Sequence, residues 1–400
     1  MNNLILLCSL VCLAGLSQIC SAQATTKAAS ATSTTLKIFV GGDQGQGISV
    51  FTFDTVKGTL TPQAQGRSDA LGPSPIWFEF DKAKKLMIST SAEKFDGKEK
   101  TGGVFSAAVA ADGTLKKISS TETDEAPVSL EISPDEKLVM VASFNGGSVT
   151  TYDLNAGKLS AKPTKTFKFQ IKKPGPVAER QTQAAAHQVK LDPAGKLLLV
   201  PDLGMDKVHM FSLVSDGKTT SLAPQRDIPI DAGCGPRHLV FDPKKIDRPT
   251  FYLLCELSSQ LLMIEITDST KGKIIEKHSV LPPNAKNTFN AAEIIISPDG
   301  KFLYTTNRQK DKAGKEEDNI FSIFARDLDS GKLTPKGTSP TGGKGPRHCA
   351  LSPDANASFM VVANQDSNQI SVHKRDPQTG ALTFVKSADT KSPAIAVFQA

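Results

Sequence analysis

The sequence predicts an all-β chain, a seven-bladed β-propeller of four-stranded antiparallel blades closed by a blade shared between the N- and C-terminal strands. Three observations predict it. A phrase of apolar strand, D/S-P-x-G-like turn and second apolar strand recurs about every 50 to 60 residues, close to the length of a propeller blade. The apolar residues alternate in short runs instead of recurring with a helical period of 3.6. The two chain ends each hold strands that complete no blade alone.

In chain order, Met1 to Ala22 carry no charged side chain, Leu4 to Leu16 form an apolar run, and Cys20-Ser21-Ala22 offers small residues for cleavage, so residues 1–22 are expected to be a signal peptide. A retained anchor is the competing reading, against which Ser9, Ser17 and Gln18 interrupt a run shorter than the roughly 20 apolar residues a span needs. Residues 23–35 are rich in Ser, Thr and Ala without bulky apolar side chains, which predicts a flexible tether. Residues 36–400 are then one propeller domain, and the protein is expected to be secreted.

Within that domain LKIFVGGDQGQGISVFTFD and GTLTPQ read as second, third and fourth strands without a first. The glycines from Gly41 have the wrong spacing for a dinucleotide loop and lead into a strand, so they read as a hairpin. First strands open at Ile76, Val128, His187, Arg237, Ala292 and Arg347, with turn prolines at Pro134, Pro193, Pro243, Pro298 and Pro353. The final SPAIAVFQA is an orphan first strand; paired with the N-terminal strands it completes a seventh blade and removes two exposed sheet edges.

The formal charge of +6 comes from interleaved acids and bases, with no basic stripe for nucleic acid. Loss of the leader removes Cys8, Cys12 and Cys20 and leaves Cys234, Cys255 and Cys349, an odd number. Two readings stand: a Cys234–Cys255 bridge, or three small buried residues, the second being the expectation. The sequon Asn356-Ala357-Ser358 agrees with export. HExxH, GxSxG, zinc-site spacings and phosphate loops are missing from the sequence, so neither metal nor organic cofactor is expected.

In a blade of alternating strands, the loop entering the innermost strand and the loop leaving the second lie on one face of the ring. That rule gathers His187, Asp202, Arg237, Glu256, Glu293, Arg308, Arg347, Asn364 and Gln365 around one central mouth. His187 is the expected proton-transfer group, since its ordinary pKa lies near neutrality, and Glu256 is expected to orient it or to act as a second acid or base. Arg237, Arg308 and Arg347 present forks suited to carboxylate or phosphate. Because Arg237 and Arg347 both stand in a Gly-Pro-Arg-His tetrad, a tie between blades is the alternative, with ligand contact expected more of Arg237 and Arg308 than of Arg347. Asp202, Glu293, Arg347, Asn364 and Gln365 are the expected substrate contacts.

The stretches HQVKLDPAGKLLLVPDLGMDKVHMF, GPRHLVFDP, LLCELSSQ, AAEIIISPDGKFLYTTNR and GGKGPRHCALSPD resemble the lactonase β-propeller family, which includes 6-phosphogluconolactonases and fungal carboxy-cis,cis-muconate cyclases. The resemblance runs from about Leu36 to the C-terminus. It implies an axial site in which His187, Arg237, Arg308 and Glu256 match a family His, two Arg and a Glu. Three departures stand out: Ala185 where the family often carries a first histidine before His187, Val128-Ser129 where relatives carry Cys or His, and a charged insertion from Asp311. The expected function is hydrolysis of a sugar-type lactone. Lactone formation, as in the muconate cyclases, and a non-catalytic secreted propeller binding glycans or surface partners are the alternatives. The expected partner is a small lactone or carboxylate, with no stable membrane insertion; the sequence does not set the oligomeric state.

Overall fold

The computed structural model describes residues 35–246, 249–268, 271–283, 285, 289–309 and 319–399. The expected leader, nearly all of the expected tether and the charged insertion lie outside them. The described residues fall in one compact unit, residues 33–400. They form seven antiparallel sheets, and their one helical element is a 3-10 turn at Phe95–Gly97.

The first sheet is built from both chain ends. Thr35–Gly42, Ile48–Asp54 and Thr59–Ser68 supply its outer three strands, and Pro393–Gln399 is its innermost strand, with Phe39 opposite Val397 and Val40 opposite Ala396. The seven-bladed architecture and the shared closing blade are thus as the sequence predicts. Blades 2 to 7 follow in chain order, with inner strands at Pro75–Phe80, Pro127–Ile132, Lys190–Leu191, Pro236–Phe241, Phe289–Ile296 and Pro346–Leu351.

The repeated turn has a chemical reason. Ser133, Ser297 and Ser352 each accept a backbone N–H from the start of the next strand (Leu138, Phe302 and Phe359), and Asp81 and Asp192 do the same in blades 2 and 4. Such side chains satisfy backbone donors that the turn would otherwise leave open. Alternate residues of each strand then point into apolar layers between neighbouring blades. Ile38, Phe53, Phe359 and Val372 fill the layer that seals the closing blade. Leu199, Leu239, Phe251 and Leu262 fill that between blades 4 and 5.

Two irregularities follow from proline. The inner strand of blade 4 is only Lys190–Leu191, extended by an isolated bridge from Ala186 to Asp202. Facing it, Pro201 offers a carbonyl, which accepts the His187 N–H at 2.9 Å, but has no N–H to return, so the ladder frays where His187 sits. The outer edge of blade 3 is split into Lys158–Leu159 and Lys165–Lys168 by a segment containing Pro163.

Candidate active site

The inner strands share a device that aims side chains at the axis. In blades 2, 3, 5 and 7 each begins with proline, and the register slips just after it, between Pro75 and Trp77, Pro127 and Ser129, Pro236 and His238, and Pro346 and His348. The slip leaves Ile76, Val128, Arg237 and Arg347 at bulge positions, and these four, with Ala394, line a small axial cavity of about 10 Å3, room for about one water, together with Trp77, His187, His238 and His348. The Gly-Pro-Arg-His tetrad is therefore a unit of the fold. Its glycine takes the left-handed conformation before the proline (φ 60° at Gly235, 68° at Gly345), its arginine occupies the bulge and its histidine follows on the axial layer.

Above that layer a buried carboxylate organises the arginines. Glu256, at the end of Thr250–Cys255, is 3 % exposed and pairs with Arg180 Nη2 at 2.7 Å, Arg237 Nε at 3.0 Å and Arg308 Nη2 at 3.1 Å. Burial alone would raise its pKa; Arg308, Arg237 and Arg180 outweigh burial and bring it down to about 2, so Glu256 is ionised at any working pH. Arg237, 1 % exposed, also donates to the Ala292 carbonyl of the next blade, and burial lowers its pKa to about 9, still cationic at neutral pH. Arg308 adds contacts to the carbonyls of Asn290 and Ala291.

Arg347 is different. It is partly buried, and among the described residues its guanidinium has no hydrogen-bond or ion-pair partner, although it faces the cavity that holds His187 and Arg237. Burial and the neighbouring Arg308 push its pKa below the usual arginine value, against Asp43, Glu256 and Glu293, which support its charge. Arg237 is thus tied to Glu256 and to the next blade, whereas the Arg347 fork carries no such tie among the described residues.

His187, 7 % exposed, packs edge-on against Phe144 and His238 at ring distances of 5.4 and 5.0 Å. Burial first, then Arg237, His238, Arg347 and Arg308, push its pKa well below 6.5, so its imidazole is neutral. Glu256 does not orient it, because that carboxylate is spent on three guanidiniums. The carboxylate that does orient a histidine is Glu293, expected as a substrate contact: its Oε1 accepts from His238 Nδ1 at 2.9 Å, and its Oε2 lies 3.9 Å from His348 Nε2. The indole of Trp77 lies edge-on between these two histidines, 5.4 and 5.6 Å from their rings.

Three further expected contacts are engaged with protein groups. Asp202 is fully buried; its Oδ1 accepts the N–H groups of Ala185, Gly204 and Met205, and its Oδ2 meets His209 at 3.2 Å, so it fixes the loop that carries His187. Asn364 is fully buried and donates to the Thr341 carbonyl and Ser371 Oγ. Gln365 donates to Asp43 at 3.1 Å, joining blade 7 to the closing blade. Asp202 and Asn364 end the second strands of their blades, where groups leaving the ladder need partners. Cys234 and Cys255 are bonded, correcting the expectation of three free buried thiols; Cys349 is free and buried. The bridge ties the residue before Gly235-Pro236-Arg237 to the residue before Glu256, behind the ion cluster.

Sequence reasoning passed over Arg180, His238, His348 and Trp77. The histidines were signalled by repetition of the tetrad, in which the arginine drew the attention; Arg180 sits in the long excursion that precedes His187, where no strand register predicts its direction. Ala185, where a family histidine was expected, packs with Leu203 and Leu257 in an apolar cluster. No group of three or more potential metal ligands occurs among the described residues.

A closed propeller with one polar, arginine-rich cavity on its axis and neutral imidazoles beneath is the architecture of an axial-site enzyme or small-anion binder. The lactonase, 7-bladed beta-propeller family matches residues 28–398, and the chain belongs to it. It is 32 % identical over 350 residues to a protein of Arthroderma benhamiae named probable 6-phosphogluconolactonase, covering 86 % of this chain and 83 % of that one. It is 28 % identical over 287 residues to 6-phosphogluconolactonase of Yersinia pseudotuberculosis, covering 71 % and 77 %. The solved periplasmic gluconolactonase of Pseudomonas aeruginosa superposes with a TM-score of 0.80 at 27 % identity, over 92 % of this chain and 99 % of that one.

Proposed function

We propose that the protein is a secreted lactonase that hydrolyses a sugar-type lactone at the axial mouth, against the small cavity that Arg347, His187 and His238 line. The observation that carries the reading is the fork of Arg347, without a partner among the described residues, beside neutral imidazoles, in a site whose other arginines are held on Glu256. An anionic transition state has somewhere to put its charge: water adds to the lactone carbonyl, and Arg347, with Arg308 at the rim, takes the developing oxyanion and the acid of the opened product. A neutral imidazole, His187 or its neighbour His238, receives the proton of the water. Arg237 acts by holding Glu256, and with it the direction of Arg308 and Arg180.

Relatives named for gluconolactone and 6-phosphogluconolactone support a sugar lactone as substrate. The leader-like residues 1–22 and the Cys234–Cys255 bridge support export to an oxidising compartment, followed by a tether over 23–35 and a single domain from 36 to 400. In that setting an unphosphorylated lactone is the natural substrate, since phosphate esters of sugars are not expected outside the cell. The test is acid release from δ-gluconolactone, 6-phosphogluconolactone and 3-carboxymuconate, the last read by loss of ultraviolet absorbance. Turnover of a sugar lactone above the spontaneous rate supports hydrolysis, absorbance loss with 3-carboxymuconate alone would assign the closing reaction, and inertness toward all three would assign a binding role.

A further inference from the structure

Below the arginines, the axial layer holds a second carboxylate and two histidines whose chemistry the arginine cluster does not use. Burial would raise the pKa of Glu293; His238 first and then His348 and Arg237 bring it down to about 2, so it is an acceptor only. Its contact with His238 therefore fixes the proton of that ring on Nδ1, and the lone pair of Nε2 is left bare. Arg237 Nη1 lies 3.3 Å from the same Nδ1, but a nitrogen already donating to a carboxylate does not accept from a guanidinium as well.

Among the described residues His238 Nε2 is buried without a hydrogen-bond partner, and the same holds of His187 Nδ1. Their rings stand 5.0 Å apart and both line the axial cavity with Arg347. Buried imidazole nitrogens are rarely left unpaired, and two of them converging on one small cavity point to a shared small polar occupant. Trp77, edge-on to His238, and the Glu293 contact hold the ring in one orientation, as a preorganised base requires.

We propose that His238, oriented by Glu293, is the general base that takes the proton of the attacking water, with His187 holding that water from the opposite side. The inference rests on the lactonase reading above. The oxygen of water bonds to the lactone carbonyl carbon as its proton passes to His238 Nε2, and the carbonyl π pair becomes an oxyanion facing Arg347. On collapse the bond from that carbon to the ring oxygen breaks, and His238 returns the proton to the departing oxygen, giving the hydroxy acid and neutral imidazole. Glu293 is a positioning residue, ionised throughout. His238 is faced by Glu293, Arg237, His348 and His187; burial and the charged Arg237 outweigh Glu293 and hold its pKa at about 4.

The test measures δ-gluconolactone hydrolysis by the full mature chain from pH 3 to 7, corrected for spontaneous opening, for wild type, His238→Gln, Glu293→Gln and His187→Gln, each checked by circular dichroism. The expected result is a fall in kcat of about 100-fold or more for His238→Gln, the low end for general-base loss, with KM within about threefold. Glu293→Gln is expected to lower kcat by roughly tenfold and move the acid limb of kcat/KM downward, because a carboxylate that supports the imidazolium is lost; a residue that only packs would leave the limb in place. The wild-type limb is expected near pH 4, a readout that stands even if His238→Gln does not fold. Unimpaired kcat in folded His238→Gln, or an acid limb that Glu293→Gln leaves unmoved, would overturn the dyad while leaving the lactonase reading intact. A wild type inert toward δ-gluconolactone and 6-phosphogluconolactone would instead overturn the reading on which it rests.

Discussion

Replacing Glu256 by Gln removes the charge at the centre of the arginine cluster while keeping the side chain's size. A carboxyl whose pKa is held at about 2 in place of its ordinary 4.5 favours the ionised fold by about 3 kcal/mol. A second route gives a similar figure: breaking a buried ion pair by neutralising one partner costs about 3 to 5 kcal/mol, and here Arg180, Arg237 and Arg308 all lose their partner. Because the folded pKa is depressed, this contribution is fully present above pH 4.5 and is lost as pH falls toward 2. Urea unfolding of wild type and Glu256→Gln should therefore differ by about 3 kcal/mol at pH 7, with the gap narrowing between pH 4.5 and 2. A difference under about 1 kcal/mol at pH 7, or a gap that persists unchanged at pH 2, would refute the assignment of Glu256 as the ionised hub of the cluster.

Further outcomes follow from the same geometry. Arg347→Ala should raise KM for δ-gluconolactone or lower kcat/KM by roughly 10- to 100-fold with little change in thermal midpoint, since among the described residues the side chain has no hydrogen-bond or ion-pair partner to lose; steady-state kinetics and a melting curve read both. Arg237→Ala should do the opposite in stability, lowering it by several kcal/mol in urea unfolding, because it takes one of three guanidiniums from the buried Glu256 and the Arg237 donor from the Ala292 carbonyl. Thiol titration of the denatured mature chain should find one free thiol before reduction and three after, and removing the bridge with Cys234→Ala and Cys255→Ala should cost about 3 kcal/mol, the scale for a closed loop of this order. Deleting residues 393–400 should abolish cooperative unfolding, since it strips the inner strand from the closing blade and exposes Ile38, Phe53 and Phe359.

The ring was legible in the sequence because its signals are local and repeated. The turn from Ser133 to Leu138 recurs from Ser297 to Phe302 with the same hydrogen bond, and SPAIAVFQA is too apolar to be a loose end. The mouth was legible as a set of loops, which is why His187, Arg237, Glu256, Arg308 and Arg347 do converge. What the pattern did not carry was who holds whom. The rule for loops on one face says that Glu256 and Glu293 edge the mouth, but the pairing of one with arginines and the other with a histidine depends on the bulge at Arg237, which sets its neighbour His238 on the next layer. The partners of Asp202 were hidden for a similar reason: the sequence places a carboxylate at the end of a strand beside the mouth but does not show that its Oδ1 accepts the N–H groups of Ala185, Gly204 and Met205. The disulfide joins residues 21 apart in sequence whose Cα atoms are 4.9 Å apart, Cys255 at the end of one strand and Cys234 in the loop entering its neighbour, a proximity that the sequence pattern does not show.

The most direct test of the central claim is the rate of acid release from δ-gluconolactone by the purified chain from Gln23, measured in a pH-stat beside Arg347→Ala. The account predicts enzymatic opening of the lactone, reduced at least tenfold in the variant while its fold is unchanged. Acid release no faster than the spontaneous reaction, or a rate that the loss of Arg347 leaves untouched, would contradict it.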